Sequence, residues 1–300
     1  MEDQAAKLRQ MIENRNLSHG KEAAKLQNNK KNTSESLRII AVTSGKGGVG
    51  KTNFTVNLAI ALSRAGKSVL IIDADLGLAN VEVILGRSSK YTMMNLLNDN
   101  ISLETIILEG PEGIKYISGG SGFEQLADLS MHERVLLIKK LYECEAFADI
   151  ILVDTGAGVG RNVLDFLEAA DEIILLTTPE PTALTDAYAV VKACRVSCDN
   201  LNIKLVVNRI YDENEGIEVS SKLITTTRKF LGVSIESLGV IYDDRNMVNA
   251  IKRQNPLLLS YPDTIAAKCI TVIAQSILQG CNLKVKRGWR DFLQRLIFSR

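Results

Sequence analysis

Residues 45–52 read Gly45-Lys46-Gly47-Gly48-Val49-Gly50-Lys51-Thr52, which fits G-x-x-x-x-G-K-T, between the β-rich run LRIIAVTS (37–44) and the helical stretch NFTVNLAIALSRAG (53–66). Strand, loop and helix in that order make a phosphate-binding loop rather than an incidental glycine-rich turn. Its glycines let successive backbone N–H groups curl round phosphate oxygens, and the helix N-terminus adds the positive end of its dipole. Lys51 is expected to reach the β and γ phosphates and Thr52 to supply a hydroxyl ligand to Mg2+, with Asn53 continuing the first turn. The loop therefore predicts a chain that binds ATP or ADP with magnesium.

The rest of the chain supports the sheet such a loop requires. Apolar runs recur at SVLIIDAD (68–75), IKYIS (114–118), DIILVD (149–154), EIILLTT (172–178), IKLVVN (203–208) and IESLGVIY (235–242), separated by amphipathic helical stretches. Strands that are apolar throughout belong to a sheet buried on both faces, and alternation with helices implies right-handed parallel crossovers. The fold class predicted is α/β, a doubly wound, mostly parallel sheet of the P-loop NTPase kind. Its 300 residues, 46% hydrophobic, suffice for one large domain, placed at 37–280. Residues 1–36 carry few large apolar side chains and read as an arm that orders only on a partner. Within it Ala5, Leu8, Met11 and Ile12 fall at helical spacing.

In such sheets ligands sit beyond the carboxyl ends of the strands. Asp73 and Asp75 close one run and Asp154 another, so all three carboxylates are expected beside the loop, positioned for metal and water chemistry. Asp is also a common cap, the bland alternative for Asp73. Asn208-Arg209 follows a further run. An Asn amide matches the donor and acceptor of an adenine edge, although Asn is equally a favoured turn residue.

The two ends carry different signals. Segment 281–300 places Val285, Trp289, Phe292, Leu293, Leu296 and Ile297 on one helical face. From 284 onward it holds six basic side chains against one acid, Asp291, in a chain of net charge +1. Such a helix suits an anionic membrane surface, where each basic residue contributes about 1 kcal/mol and each buried large apolar side chain about 1.5–3 kcal/mol. The alternative is a terminal helix packed on its own domain. No run approaches the roughly 18 apolar residues of a spanning helix, and MEDQAAKLRQ lacks a signal-peptide core. A cytoplasmic chain, peripheral on the inner face of the cell membrane when ATP is bound, is expected. Five scattered cysteines, at 144, 194, 198, 269 and 281, lack metal-site spacing. A near-neutral net charge makes nucleic acid an improbable general partner.

The string KGGVGKT resembles the deviant Walker A loop of the MinD/ParA family. The resemblance implies that Lys46 crosses a homodimer interface to the partner's nucleotide and that hydrolysis is coupled to dimerisation. DADLGLAN (73–80) is similar to the family's switch I, which makes Asp75 the carboxylate that orients the attacking water and Asp73 an outer-shell magnesium group. DTGAG (154–158) resembles switch II, with Asp154 near magnesium. By the same likeness Asn208 and Arg209 meet the base, Asp243 lies in a loop flanking adenine, and Glu180 touches nucleotide across the dimer. The proline frequent in that adenine loop is absent here. The start, DQAAKLR (3–9), is similar to the arm of the FlhG (YlxH/FleN) regulators of flagellar number. That likeness implies an FlhF-type GTPase engaged and stimulated through Gln4, Ala5, Leu8 and Arg9, with flagellar C-ring proteins as further partners. The competing readings are a ParA-like partitioner that binds DNA nonspecifically and a MinD-like division-site regulator. A binding protein with a dead site would lack Asp75, and an iron–sulfur carrier would need a cysteine pair.

Overall fold

The computed structural model describes residues 37–75, 80–98, 100–119, 129–197, 201–280 and 288–298. In chain order β1 (Arg38–Ser44) leads through the loop into α1 (Lys51–Arg64), followed by β2 (Val69–Ala74), α2 (Asn80–Leu85), α3 (Leu103–Ile106), β3 (Leu108–Glu109) and β4 (Lys115–Ile117). Then come α4 (Met131–Leu141), β5 (Ile150–Ala157), α5 (Arg161–Ala169), β6 (Glu172–Thr177), α6 (Pro181–Ser197), β7 (Ile203–Ile210) and α7 (Glu213–Leu231). The chain ends with β8 (Ile235–Tyr242), α8 (Arg245–Lys252), α9 (Leu257–Ser260), α10 (Ile265–Gln279) and α11 (Gly288–Phe298).

The strands form one sheet of order β3-β4-β2-β5-β1-β6-β7-β8, parallel except for the β3–β4 pair. β3 is a two-residue antiparallel edge, too short to register as an apolar run in the sequence. Successive residues of β1, β2 and β5 serve opposite cores. Ile39, Ala41, Leu70, Ile72, Ile151 and Val153 face a layer containing α4, α5, α6, α7 and α11. Ile40, Val42, Val69, Ile71, Ile150 and Leu152 face a layer containing α1, α9 and α10. With both faces covered, no position along these strands has to be polar, which accounts for the unbroken apolar runs.

Helix ends follow local chemistry. Asp212 caps α7 by accepting from the Glu215 amide at 3.0 Å, and Gly232 ends it in the left-handed conformation at φ 66°. Ser130 and Glu133 make a reciprocal capping box at the start of α4. Parallel pairing sets Asp73 directly beside Asp154 in register, with β1 on the other side of β5, so both carboxylates emerge next to the start of the phosphate loop.

Candidate functional site

Lys51 is buried at the head of α1, and its ammonium lies 3.1 Å from Asp154 Oδ1 and 3.9 Å from Asp75 Oδ2. The Thr55 hydroxyl, one turn further along α1, stands 3.0 Å from the same Asp154 oxygen. Asp154 Oδ2 is buried and has no hydrogen-bond partner among the described residues. Asp73 accepts backbone N–H groups on both oxygens, from Asp75 at 3.2 Å and Val81 at 3.1 Å. Burial, reinforced by the Asp154 charge, pushes the Asp73 carboxyl up to about 7 despite those bonds and Lys51. Burial likewise raises Asp75, opposed by Lys51.

These groups fit a divalent cation. An orphaned carboxylate oxygen and a second carboxyl whose charge is resisted by the first make a hard-oxygen pair, and Thr52 follows Lys51 in the first turn of α1. Thr52, Asp73 and Asp154 would hold Mg2+, which neutralises phosphate charge when bound. The fold brings Asp73, Asp75 and Asp154 together around Lys51.

Beside the loop lies a cleft of about 260 Å³ lined by Gly50, Asn53, Phe54, Asn208, Arg209, Asp243 and the apolar side chains of Met247, Val248, Ile251 and Ile270. A cleft with apolar walls and a few polar groups suits a nucleotide base. Asn208 lines it but is also committed to structure. Its Nδ2 donates to the Val49 carbonyl at 2.8 Å and its Oδ1 accepts the Arg209 N–H at 3.0 Å. One amide proton and one lone pair stay available for a base edge. Gly50 sits at φ 96°, and a Cβ there would fall 2.7 Å from Asn208 Nδ2, so this joint between loop and β7 admits only glycine without rearrangement.

Lys46 and Glu180 pair with each other within one chain, Nζ to Oε2 2.8 Å, with the Thr182 hydroxyl at 3.1 Å. Lys46 holds the exposed Glu180 carboxyl below its ordinary range. For either side chain to reach a nucleotide in a second protomer, this pair has to part.

Comparison with known proteins agrees with the geometry. The family model described as ParA, NUBPL iron-transfer P-loop NTPase, matches residues 35–278. This chain belongs to the ParA/MinD family of P-loop NTPases. It is 36% identical to antiactivator FleN of Pseudomonas aeruginosa, over 80% of this chain and 86% of that one. It is 33% identical to the flagellum site-determining protein YlxH of Helicobacter pylori, over 94% and 96%. Among solved structures, the septum site-determining protein MinD from Pyrococcus horikoshii, complexed with Mg-ADP, superposes with a TM-score of 0.66 at 27% identity, covering 83% of this chain and 99% of that one. The chain is accordingly an ATPase, converting ATP and water to ADP and phosphate.

The C-terminal helix takes the packed arrangement, the second of its two expected placements. Trp289, Phe292 and Leu293, read from the sequence as a membrane-inserting face, are buried in the domain, and Leu296 packs partly against the same core. Trp289 and Phe292 stack with centroids 5.2 Å apart, Phe166 of α5 lies 6.4 Å from Phe292, and the Trp289 indole N–H donates to the Leu141 carbonyl. A helix with one apolar face satisfies that face wherever it first meets a groove, and here α4 and α5 supply one. The Ile297 side chain, and the arm with Gln4, Ala5, Leu8 and Arg9, lie outside the described residues. Cys144 and Cys194 are buried and Cys269 is half-buried. Among the described residues no helix is long and apolar enough to cross a membrane.

Thr55 and Asn80 join the site without a motif role of their own. Thr55 stands four residues after Lys51, hence on its helix face, which was the available signal. Asn80 closes the quoted DADLGLAN string without having been given a role.

Proposed function

We propose that this ATPase is a nucleotide-switched regulator of flagellar number and placement, dimerising with ATP and associating with the inner membrane surface. The likeness to YlxH carries the reading, because its 94% coverage reaches beyond the 35–278 ATPase window into the terminal segments. An ATP sandwich would draw Lys46 off Glu180 and toward phosphate charge in the second protomer, as an arginine finger acts.

Membrane association requires α11 to leave its groove. Three buried large apolar side chains, each worth about 1.5–3 kcal/mol, hold it there. The groove is built partly by α5, which starts at Arg161, four residues beyond the end of β5 and its Gly156. A rearrangement of 154–158 around γ-phosphate is therefore one helix away from the dock.

Co-sedimentation with anionic liposomes, with MgATP or MgADP, tests this coupling. Pelleting with ATP alone is expected, and removal of 281–300 should abolish it at unchanged ATP affinity. Phe166→Leu, which loosens the groove and leaves the sequence of α11 intact, should raise pelleting with ADP several-fold. If Phe166→Leu left pelleting unchanged and the truncation still bound, the helix would be a fixed part of the domain. ATP-dependent plasmid binding in a gel shift would instead favour a ParA-like partitioner, with affinity falling steeply in salt.

The arm is the second part of the proposal, supported by the likeness at residues 3–9. A peptide of residues 1–25 should stimulate GTP turnover by an FlhF-type GTPase, and Gln4→Ala or Arg9→Ala peptides should stimulate less. Stimulation by the whole protein but not the peptide would move the activating surface to the ATPase body. Failure of both would remove the flagellar assignment and favour a MinD-like division role, leaving the ATPase intact.

A further inference from the structure

We propose that Asn80 is a positioning residue for ATP hydrolysis, whose amide fixes the Asp75 carboxylate by one oxygen and leaves the other facing the space beside Gly156. The inference rests on Asp75 as the group that orients water. Asn80 opens α2, and its Nδ2 donates to Asp75 Oδ2 at 2.9 Å. The terminal torsion of an aspartate is broad and two-fold, so packing or a hydrogen bond has to choose its orientation. With its side chain 29% exposed, Asp75 is not held by packing alone.

Asp75 Oδ1 faces the second switch segment. A Cβ built on Gly156 would lie 3.4 Å from that oxygen and 3.5 Å from a Val163 methyl. Glycine thus keeps open a place beside Oδ1, within a cleft of about 340 Å³ lined by Ala74, Asp75, Ala157, Arg161 and Asn162. A water occupies about 30 Å³ of liquid, so the space admits one with room for its partners. The next residue, Val81, donates its backbone N–H to Asp73. One turn of α2 therefore fixes the carboxylate assigned to magnesium and the carboxylate assigned to water, keeping the two in a set relation.

Single-turnover and steady-state ATPase assays on Asn80→Ala and Asn80→Asp, each with and without Asp75→Ala, test this. A hydrogen bond to a charged group is worth about 1.5–3 kcal/mol, so Asn80→Ala should lower kcat about 10- to 100-fold. KM for MgATP and the unfolding temperature should hold. Asn80→Asp, the same size but presenting a carboxylate to a carboxylate, should lose at least as much. In the Asp75→Ala background Asn80→Ala should cost nothing further, because the carboxylate it orients is gone. Additive losses, or a rise in KM at unchanged kcat, would overturn the assignment. An inactive Asp75→Ala beside a fully active Asn80→Ala would refute the role of Asn80 alone. An Asp75→Ala enzyme as fast as the parent would refute both.

Discussion

An Asp75→Ala protein is expected to bind MgATP as tightly as the parent, to hydrolyse it about 100- to 10,000-fold more slowly, and to accumulate as an ATP-bound dimer. The size follows from what positioned carboxylates contribute to proton transfer and water activation. Retention of affinity follows from the geometry, since the phosphate loop, Lys51 and the base cleft do not include Asp75, apart from a 3.9 Å approach to the Lys51 ammonium. Losing that contact should strengthen the hold of Lys51 on phosphate. Size-exclusion chromatography with saturating ATP reads the dimer, and release of labelled phosphate reads turnover. A monomeric variant at saturating ATP would refute the nucleotide sandwich, because binding without hydrolysis should trap the assembled state. Lys46→Ala is the matched control. If its role lies across the interface, it loses turnover and dimer together.

Much of this was legible because the chemistry is local. The loop at 45–52 carries its strand and helix on either side, and the carboxylates at 73, 75 and 154 stand out by following apolar runs. Contacts between distant segments were not legible. Lys46 and Glu180 are 134 positions apart, and nothing in either neighbourhood announces that they pair within one chain. The apolar wall of the base cleft comes from α8 and α10, whose Met247, Val248, Ile251 and Ile270 belong to no motif. Amphipathicity in 285–297 is legible in the sequence but does not say which apolar surface it meets, because a groove between helices and a bilayer satisfy the same pattern. The reach of β7 to Ile210 and β5 to Ala157, past the apolar runs, reflects ladder pairing with neighbours rather than composition.

At the end of the sheet opposite the phosphate loop, Glu172→Ala should cost about 3–5 kcal/mol of stability with no direct effect on nucleotide. Glu172 is almost fully buried at the start of β6. One of its oxygens accepts from the Arg38 guanidinium, and the other lies 2.8 Å from the buried Lys204 ammonium. Arg38 also donates to the Ile277 carbonyl near the end of α10 at 2.9 Å. Removing the carboxylate takes away the buried anion that Arg38 and Lys204 share, and breaking a buried pair on one side is what makes such changes severe. For a domain of this size each kcal/mol shifts the midpoint about 2–4 °C, so thermal unfolding followed by circular dichroism should fall by roughly 6–20 °C. The charge itself, rather than lost packing, is isolated by the triple variant Arg38→Met, Glu172→Leu, Lys204→Met. Replacing a whole buried ionic cluster by apolar groups of similar volume is often neutral, so this variant should recover most of the loss. A triple variant as unstable as Glu172→Ala would mean that the cluster specifies strand packing at β1, β6 and β7 through its shape and hydrogen bonds, and that the electrostatic account is wrong.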